Sequence, residues 1–466
     1  MTDPGRTVAL VLAAGAARRF GSPKALAPLD GRPVLQHVVD VATELGSAGT
    51  VVVLGEDADA IDAAVDWRSA DVIRNPHPDT GLAGSVRVGL DAVRQRHPGA
   101  DAVVVLLGDQ PLVRPAVVRA LLDAERPPGR GVVVPRYAAG GGPNPALVHR
   151  EAWHLVDHVA GDRGLGPVLA RHPEVVVEVP VEGDNPDVDT PADLALAAWA
   201  LRVRGNREQV DRHREVPDGP DFYGPVSDLF VADPDRTDDA QLDALLALAR
   251  PDDTWLDIGA GAGRFALPLA RRVREVIALD PSTGMLDALR VGMERHGIAN
   301  IRVVEGRWPV ERLPDGRPPA ADVALMAHLG YDIEAIGPSL EAMEAAAGRR
   351  CVAILMARQP SGAVDPFWPP IHGEARVPLP GLDDLVELLR LRGRDPRVVE
   401  TARPPRGFES RASLERFARR QLWIAEGGPS DRRFAELVER LAVERDGRWF
   451  LEDRPARVGI VDWAPR

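Results

Sequence analysis

The chain changes texture along its length. From residue 7 to 199, short apolar runs recur at Val8–Leu12, Val51–Leu54, Val103–Leu107, Val132–Val134 and Val175–Val181. Stretches with apolar positions at helical spacing separate them: Pro33–Leu45, Ser85–Gln95, Pro115–Ala124, Leu165–His172 and Ala192–Leu201. Strands that are apolar throughout are buried on both faces, and helical crossovers between them build a mostly parallel sheet. The pattern then lapses. Residues 202–220 are polar and charged with almost no apolar period, which predicts a linker or a boundary helix. A second alternation begins at Asp221. It predicts helices at Gln241–Ala249, Phe265–Arg272, Met285–His296 and Ser339–Ala347, and strands at Trp255–Ile258, Val276–Leu279, Ile301–Val304, Asp322–Ala327 and Cys351–Met356. Beyond Met356 the chain is rich in Pro, Arg and Trp and shows no clear period. The expectation is two tandem α/β domains, at 1–201 and 221–466, the second ending in a C-terminal extension.

Composition narrows the class. A chain of 466 residues exceeds one ordinary domain of roughly 100–200. No apolar run approaches the roughly 18–20 residues that span a bilayer, and the polar start Met1–Arg6 leads straight into a strand. A cytoplasmic protein without membrane attachment is expected. The net charge of −13 argues against general affinity for nucleic acid or anionic lipid. One cysteine, Cys351, excludes an intrachain disulfide framework and sits in an apolar strand as a core residue. Of 57 basic residues, Lys24 alone is lysine. A GC-rich genome can produce such a bias, but it leaves open why lysine stands here.

The first strand runs into LAAGAARRFGSPK, residues 12–24. Gly15 and Gly21 can turn the backbone and leave amide N–H groups pointing outward, a nest for phosphate, with Arg19 and Lys24 adding charge beside it. A plain turn with two solvated cations explains the glycines about as well. The spacing is not that of the Walker A loop. Strand Val103–Leu107 ends in Gly108-Asp109-Gln110-Pro111, and a second acidic run, NPDVDTPADL, spans 185–194. An aspartate at the carboxyl end of a parallel strand lies where α/β sheets bind ligands. Two carboxylates from distant points can hold Mg²⁺, whose shell is shared with substrate phosphates. Asp189-Thr190-Pro191 could instead cap the following helix, or one carboxylate could do both.

LAAG-x3-R-x-G-x2-K, GDQP and DVDTPADL together resemble the MobA-like nucleotidyltransferases, with LAAG most similar to the molybdenum cofactor cytidylyltransferase branch. NPHPDTGLAGSVRVGL at 75–90 and GDRGLGPVLARHP at 161–173 resemble further segments of that family. The resemblance covers about the first 200 residues. It implies nucleotidyl transfer, with CTP over GTP, to a phosphorylated small molecule such as molybdopterin, and a molybdoenzyme as a possible partner. It implies that Leu12, Ala13, Ala14, Gly15, Arg19, Gly21, Lys24 and Ser85 hold the nucleotide. It implies further that Lys24, Arg19, Asp109 and Asp189 carry catalysis, with Mg²⁺ on Asp109 and Asp189. Two segments depart from the family: Pro143-Asn144-Pro145 replaces its glycine-histidine-proline, and Gly166 stands where an arginine is usual. Both lie in the half that would hold the acceptor.

In the second region, WLDIGAGAGR (255–264) sets Asp257 before Gly259, Gly261 and Gly263, and the next strand ends at Asp280. Glycines let a ligand lie on bare backbone, and an acid at that strand end can accept from both hydroxyls of a ribose. The pair resembles the first two motifs of class I S-adenosylmethionine-dependent methyltransferases over about residues 221–356. That resemblance implies S-adenosyl-L-methionine as cofactor, an unidentified small-molecule methyl acceptor, and a shifted adenine contact at Glu305. His328 is a general base if its pKa is near neutral, or a histidine held by local hydrogen bonds. Asp322, Tyr331 and Phe222-Tyr223 are weaker candidates. Both resemblances imply Rossmann-like three-layer α/β/α domains in tandem.

Overall fold

The computed structural model describes residues 2–465 except 16–19, 21–22, 46–47, 139, 162–163, 218, 220, 222–223, 225–226, 228–229 and 453. The chain divides into two compact units, Met1–Ala198 and Trp199–Arg466.

The first unit is built on strands β1 (Thr7–Ala13), β2 (Gly49–Leu54), β3 (Asp71–Arg74), β4 (Ala102–Leu107), β5 (Val132–Tyr137), β6 (Ala146–His149) and β7 (Val176–Val181). Their order is β3-β2-β1-β4-β6-β5-β7, parallel except for β6, which runs against both its neighbours. The two-residue period of a strand assigns the core directly. Val8, Leu10 and Leu12 enter one layer with helix Gly81–Arg96, while Ala9 and Val11 enter the other with helix Val34–Glu44. Leu12 lies opposite both Val53 and Leu107, so β1, β2 and β4 end together. The chain leaves β1 for β2 on one side and returns to β4 on the other. That switch point is where an open α/β sheet forms its crevice.

The second unit repeats the device. Strands β8 (Thr254–Ile258), β9 (Glu275–Asp280), β10 (Ile301–Glu305), β11 (Ala321–Ala327), β12 (Ala347–Met356), β13 (Arg397–Arg403) and β14 (Ala456–Trp463) take the order β10-β9-β8-β11-β12-β14-β13. β14 is antiparallel to β12 and to β13, so β13 ends at the same edge of the sheet as β12. The switch point falls between β8 and β11. The Pro-, Arg- and Trp-rich extension has its own core: Phe367, Trp368 and Phe408 pack with Leu414, Ala418 and Leu422 of one helix and Phe434, Leu437 and Val438 of the next.

Of the expected linker 202–220, residues up to 213 belong to helix Pro191–His213, within which the division between the units falls. Its polar side chains are not idle: Asn206 Nδ2 donates to Val377 O at 2.6 Å and Gln209 Nε2 to Ala375 O at 2.7 Å. Among the described residues no helix is long and apolar enough to cross a membrane.

Candidate active sites

In the first unit Lys24 begins a single 3₁₀ turn after the β1 loop. Its Nζ donates to Asp109 Oδ2 and to Asp189 Oδ1, each at 2.8 Å. The lysine side chain is 17% exposed, so the pairing is partly desolvated. Burial works against its charge, but Asp109 and then Asp189 outweigh that and raise the Lys24 pKa. Asp189 is free for this role because it is not the cap of the helix behind it. Thr190 and Asp193 form that cap: Asp193 Oδ2 accepts from Thr190 N at 2.8 Å and from Asp189 N at 3.1 Å, and Asp193 N donates back to Thr190 Oγ1 at 3.2 Å. The cap thereby fixes the backbone on which Asp189 sits.

The two acidic segments are also tied to each other. Val188 N donates to Asp109 O at 2.9 Å. Asn185 Nδ2 donates to Gln110 Oε1 at 3.0 Å, and Gln110 Nε2 to Asp187 Oδ1 at 2.9 Å. Burial, and then the charge of Asp109, push the Asp187 carboxyl upward. Beside this chain opens a cavity of about 520 Å³, walled by Leu12, Val105 and Leu107 on the apolar side and by Asp109, Asn185 and Asp187 on the polar side. Gly140–Gly142, Pro143, Asn144, Gly164 and Gly166 complete it.

The other expected residues divide. Leu12 lines the cavity, whereas Ala13 packs against Gly108 and Ala14 against Gly55, where an added Cβ would come within 2.8 Å of Ala13 Cβ and 2.7 Å of Ala14 O. Gly15 is exposed, has no left-handed φ, and a Cβ there would meet nothing within 4 Å among the described residues. Ser85 is buried at 2% exposure, bonded by Asn75 Nδ2 at 3.1 Å, and helix neighbours Leu82 and Val86 face the cavity instead. Arg19 and Gly21 lie outside the described residues.

In the second unit the glycine turn is strongly shaped. Gly259, Gly261 and Gly263 have φ of +74°, +54° and +84°, and a Cβ on Gly263 would meet Leu289 at 2.5 Å. Asp280 anchors the turn: its Oδ2 accepts from Gly261 N and its Oδ1 from Ser282 N, both at 2.9 Å. Ser282 Oγ donates in turn to Asp221 at 2.8 Å. Asp257 is 1% exposed, and its Oδ1 is buried without a hydrogen-bond partner among the described residues. Burial, then the nearby Asp280 charge, push its carboxyl up to about 7. Glu305 lies opposite Asp280 in the sheet, exposed, and accepts from Thr283 Oγ1 at 3.3 Å.

Residues 9–175 match the family model of the MobA-like NTP transferase domain, and residues 256–346 that of a methyltransferase domain. The chain joins a MobA-like NTP transferase domain to a methyltransferase domain. Among curated relatives, the bifunctional protein GlmU of Bordetella parapertussis is 37% identical over 127 residues, 27% of each chain. The chain thus spans about a quarter of the length of the curated relatives it matches. Among solved structures, Rv0371c of Mycobacterium tuberculosis H37Rv is 36% identical over 41% of this chain and 96% of its own, with a TM-score of 0.36. The YcgJ protein of Bacillus subtilis is 15% identical over 48% and 97%, with a TM-score of 0.34.

Several expectations for the methyltransferase domain need correction. His328 does not have a near-neutral pKa: burial, then the charges of Arg403 and Arg264, depress it to about 3. Its Nε2 lies 3.1 Å from Gln241 Oε1, and the residue holds a φ of +54°. A base so depressed is a weak proton acceptor at neutral pH. Asp322 is the second residue of β11 and accepts from Thr254 N at 2.7 Å, at the end of the sheet opposite the glycine turn. Tyr331 accepts from Met356 N at 2.6 Å and is buried. Cys351 is buried, as expected of a core residue. Phe222 and Tyr223 lie outside the described residues. In the MobA-like domain, sequence reasoning missed Gln110, Asn185 and Asp187. All three stand inside motifs that were noted, so amide side chains between two acidic runs were the available signal. The two departures from the family pattern meet: a Cβ on Gly166 would come within 3.6 Å of Pro143.

Proposed function

We propose that the MobA-like domain transfers a nucleotidyl group, from CTP in preference to GTP, to a phosphorylated small molecule such as molybdopterin. The observation that carries this reading is Lys24 Nζ seated between Asp109 and Asp189 at 2.8 Å from each. Two carboxylates distant in sequence already converge on one cation, which fits an Mg²⁺ ion with hard oxygen ligands. Asp109 and Asp189 would hold it. Such an ion would supply neutralisation of phosphate charge at the reacting centre. Lys24 would turn its ammonium to the triphosphate, where a compact point charge on a flexible stem suits a single phosphate oxygen. Gly15, Arg19 and the amides of the loop complete the phosphate cradle. Leu12 offers an apolar face to the nucleoside, and the Gln110–Asp187 bond keeps the second acidic run in register with the first. An oxygen of the acceptor attacks the α-phosphorus and pyrophosphate leaves, so no side-chain nucleophile is required. The test is a screen of four nucleoside triphosphates against molybdopterin and sugar phosphates for Mg²⁺-dependent pyrophosphate release. Release from no combination removes the reading.

For the second domain we propose S-adenosyl-L-methionine binding on Gly259, Gly261 and Gly263, with Asp280 on the ribose, Asp257 under the turn and Glu305 toward the adenine. The orphaned, buried Asp257 Oδ1 favours a ligand that brings hydrogen-bond donors there. When bound, that cofactor supplies an electrophilic methyl group. The depressed His328 favours an acceptor that reacts without a strong protein base. It equally favours a second reading, in which this half only binds the cofactor and regulates the first. Transfer of labelled methyl to any small molecule of a lysate eliminates that regulatory reading. Both activities are proposed for the cytoplasm, where a molybdoenzyme could receive the product.

A further inference from the structure

The carboxyl edge of the second sheet carries a cationic cluster that neither the glycine turn nor Asp280 uses. Arg264 follows Gly263 directly, and Arg236 precedes helix Ala240–Leu246. Arg236 Nε and Arg264 Nη2 both donate to Asp239 Oδ2 at 2.8 Å. That carboxylate is also the helix cap, accepting from Gln241 N and Leu242 N at 3.2 Å, so its charge is spread over four donors. Arg403 ends β13 at the same edge, and among the described residues its Nη1 reaches only the weak acceptor Met356 Sδ, at 3.9 Å. His328 follows β11 and stands beside them. The Phe265 ring lies at the middle, with Arg264 Cζ 5.5 Å, Arg236 Cζ 5.9 Å and the His328 ring 6.2 Å from its centroid.

Charge and hydrogen bonding are both unbalanced here. Two of the three guanidinium groups share one carboxylate and Arg403 pairs with none among the described residues, which leaves two positive charges uncompensated in this group. Arg264 Nε, Arg236 Nη2 and His328 Nδ1 are buried with no hydrogen-bond partner among the described residues. The cations feel one another: burial, then Arg236 and Arg403 against the pull of Asp239, bring Arg264 down to about 10. Partly buried like charges with unspent donors are costly unless a ligand of opposite sign joins them. Planar guanidinium forks match carboxylate and phosphate oxygens two at a time. His328 adds something different. With Nε2–H given to Gln241, its Nδ1 holds a lone pair and takes an O–H or N–H from the ligand.

We propose that Arg236, Arg264 and Arg403 seat a carboxylate or phosphate group of the methyl acceptor, with His328 Nδ1 accepting from a neighbouring hydroxyl or amine of the same molecule. This rests on the methyltransferase reading of the second domain. Arg403 and His328 come from β13 and β11, on the side of β8 away from Asp280, which separates the cluster from the ribose end of the cofactor.

Calorimetry on the full-length protein tests it in three arms. S-adenosylhomocysteine binding tests the methyltransferase reading alone, and absence of binding there sinks that reading. In the complex with S-adenosylhomocysteine, inorganic phosphate and malonate serve as probes. Saturable binding of at least one is expected, weakened at least tenfold by Arg403→Met, restored in part by Arg403→Lys, and accompanied by no more than a twofold change in S-adenosylhomocysteine affinity. Failure of both probes to bind overturns the proposal. The third arm uses methylthioadenosine, which lacks the amino-acid carboxylate. If Arg403→Met weakens S-adenosylhomocysteine but spares methylthioadenosine, the cluster belongs to the cofactor's own carboxylate and the proposal also fails. Arg264→Met provides the second variant, since Asp239 keeps Arg236 as its partner.

Discussion

Lys24 is where residue identity carries most of the chemistry. Arginine could neutralise Asp109 and Asp189, but its planar fork cannot shuttle to one phosphate oxygen as an ammonium does. Lys24→Ala is expected to lower pyrophosphate release by at least a hundredfold, and Lys24→Arg by at least tenfold, with steady-state kinetics as the measure. A Lys24→Arg enzyme of full activity would make the lone lysine an accident of composition. Asp257 makes a different kind of prediction. Its folded pKa, about 7, lies above the ordinary 3.8 because it is buried and near Asp280. Between those values the folded chain keeps a proton that the unfolded chain has released, so stability falls as pH rises through that window. Asp257→Asn therefore raises the melting temperature of the ligand-free protein by a few degrees at pH 8 and leaves it nearly unchanged at pH 4. Thermal unfolding at the two values checks the sign. His328, depressed to about 3, tilts the profile the other way, its contribution being lost as pH falls below the ordinary 6.5.

At the scale of elements, each site is held by a short backbone device as much as by its charged groups. The Thr190–Asp193 cap positions Asp189 without touching a substrate. Asp193→Ala should cost about 1 kcal/mol of stability and also weaken divalent-ion affinity, which Mn²⁺ titration would read separately from unfolding. A Gly263→Ala change meets both a φ of +84° and a contact at 2.5 Å, and should cost roughly 2–4 kcal/mol in denaturant unfolding. Gly15→Ala meets neither and should leave stability unchanged. Elements were legible where one physical rule governed them. Doubly buried strands such as Val103–Leu107 announce themselves as unbroken apolar runs. The half-exposed edge strand β3, with Asp71 and Arg74 at its ends, and the four-residue β6 behind Pro145 do not. In the extension, Leu414, Ala418 and Leu422 do follow helical spacing, but flanking Arg and Pro hid it. The sites divide the same way. Asp109, Asp189, Asp257 and Asp280 lie at strand ends or helix starts that a motif marks. Arg403, Arg236 and the Gln110–Asp187 pair gain meaning only from long-range contacts, which no local pattern encodes.

For the molecule as a whole, the proposal is that one chain carries two ligand sites, each at the switch point of its own sheet. The sites should therefore fail one at a time. Lys24→Ala should abolish pyrophosphate release and leave S-adenosylhomocysteine binding unchanged, while Asp280→Ala should do the reverse. The Lys24–Asp109–Asp189 constellation is the centre of the account, and pyrophosphate release by the full chain tests it most directly. With Mg²⁺, CTP and a phosphorylated acceptor, the wild-type chain should release pyrophosphate, and Lys24→Ala and Asp109→Asn should not. No release with any triphosphate and acceptor, or equal release by the wild type and both variants, would contradict it.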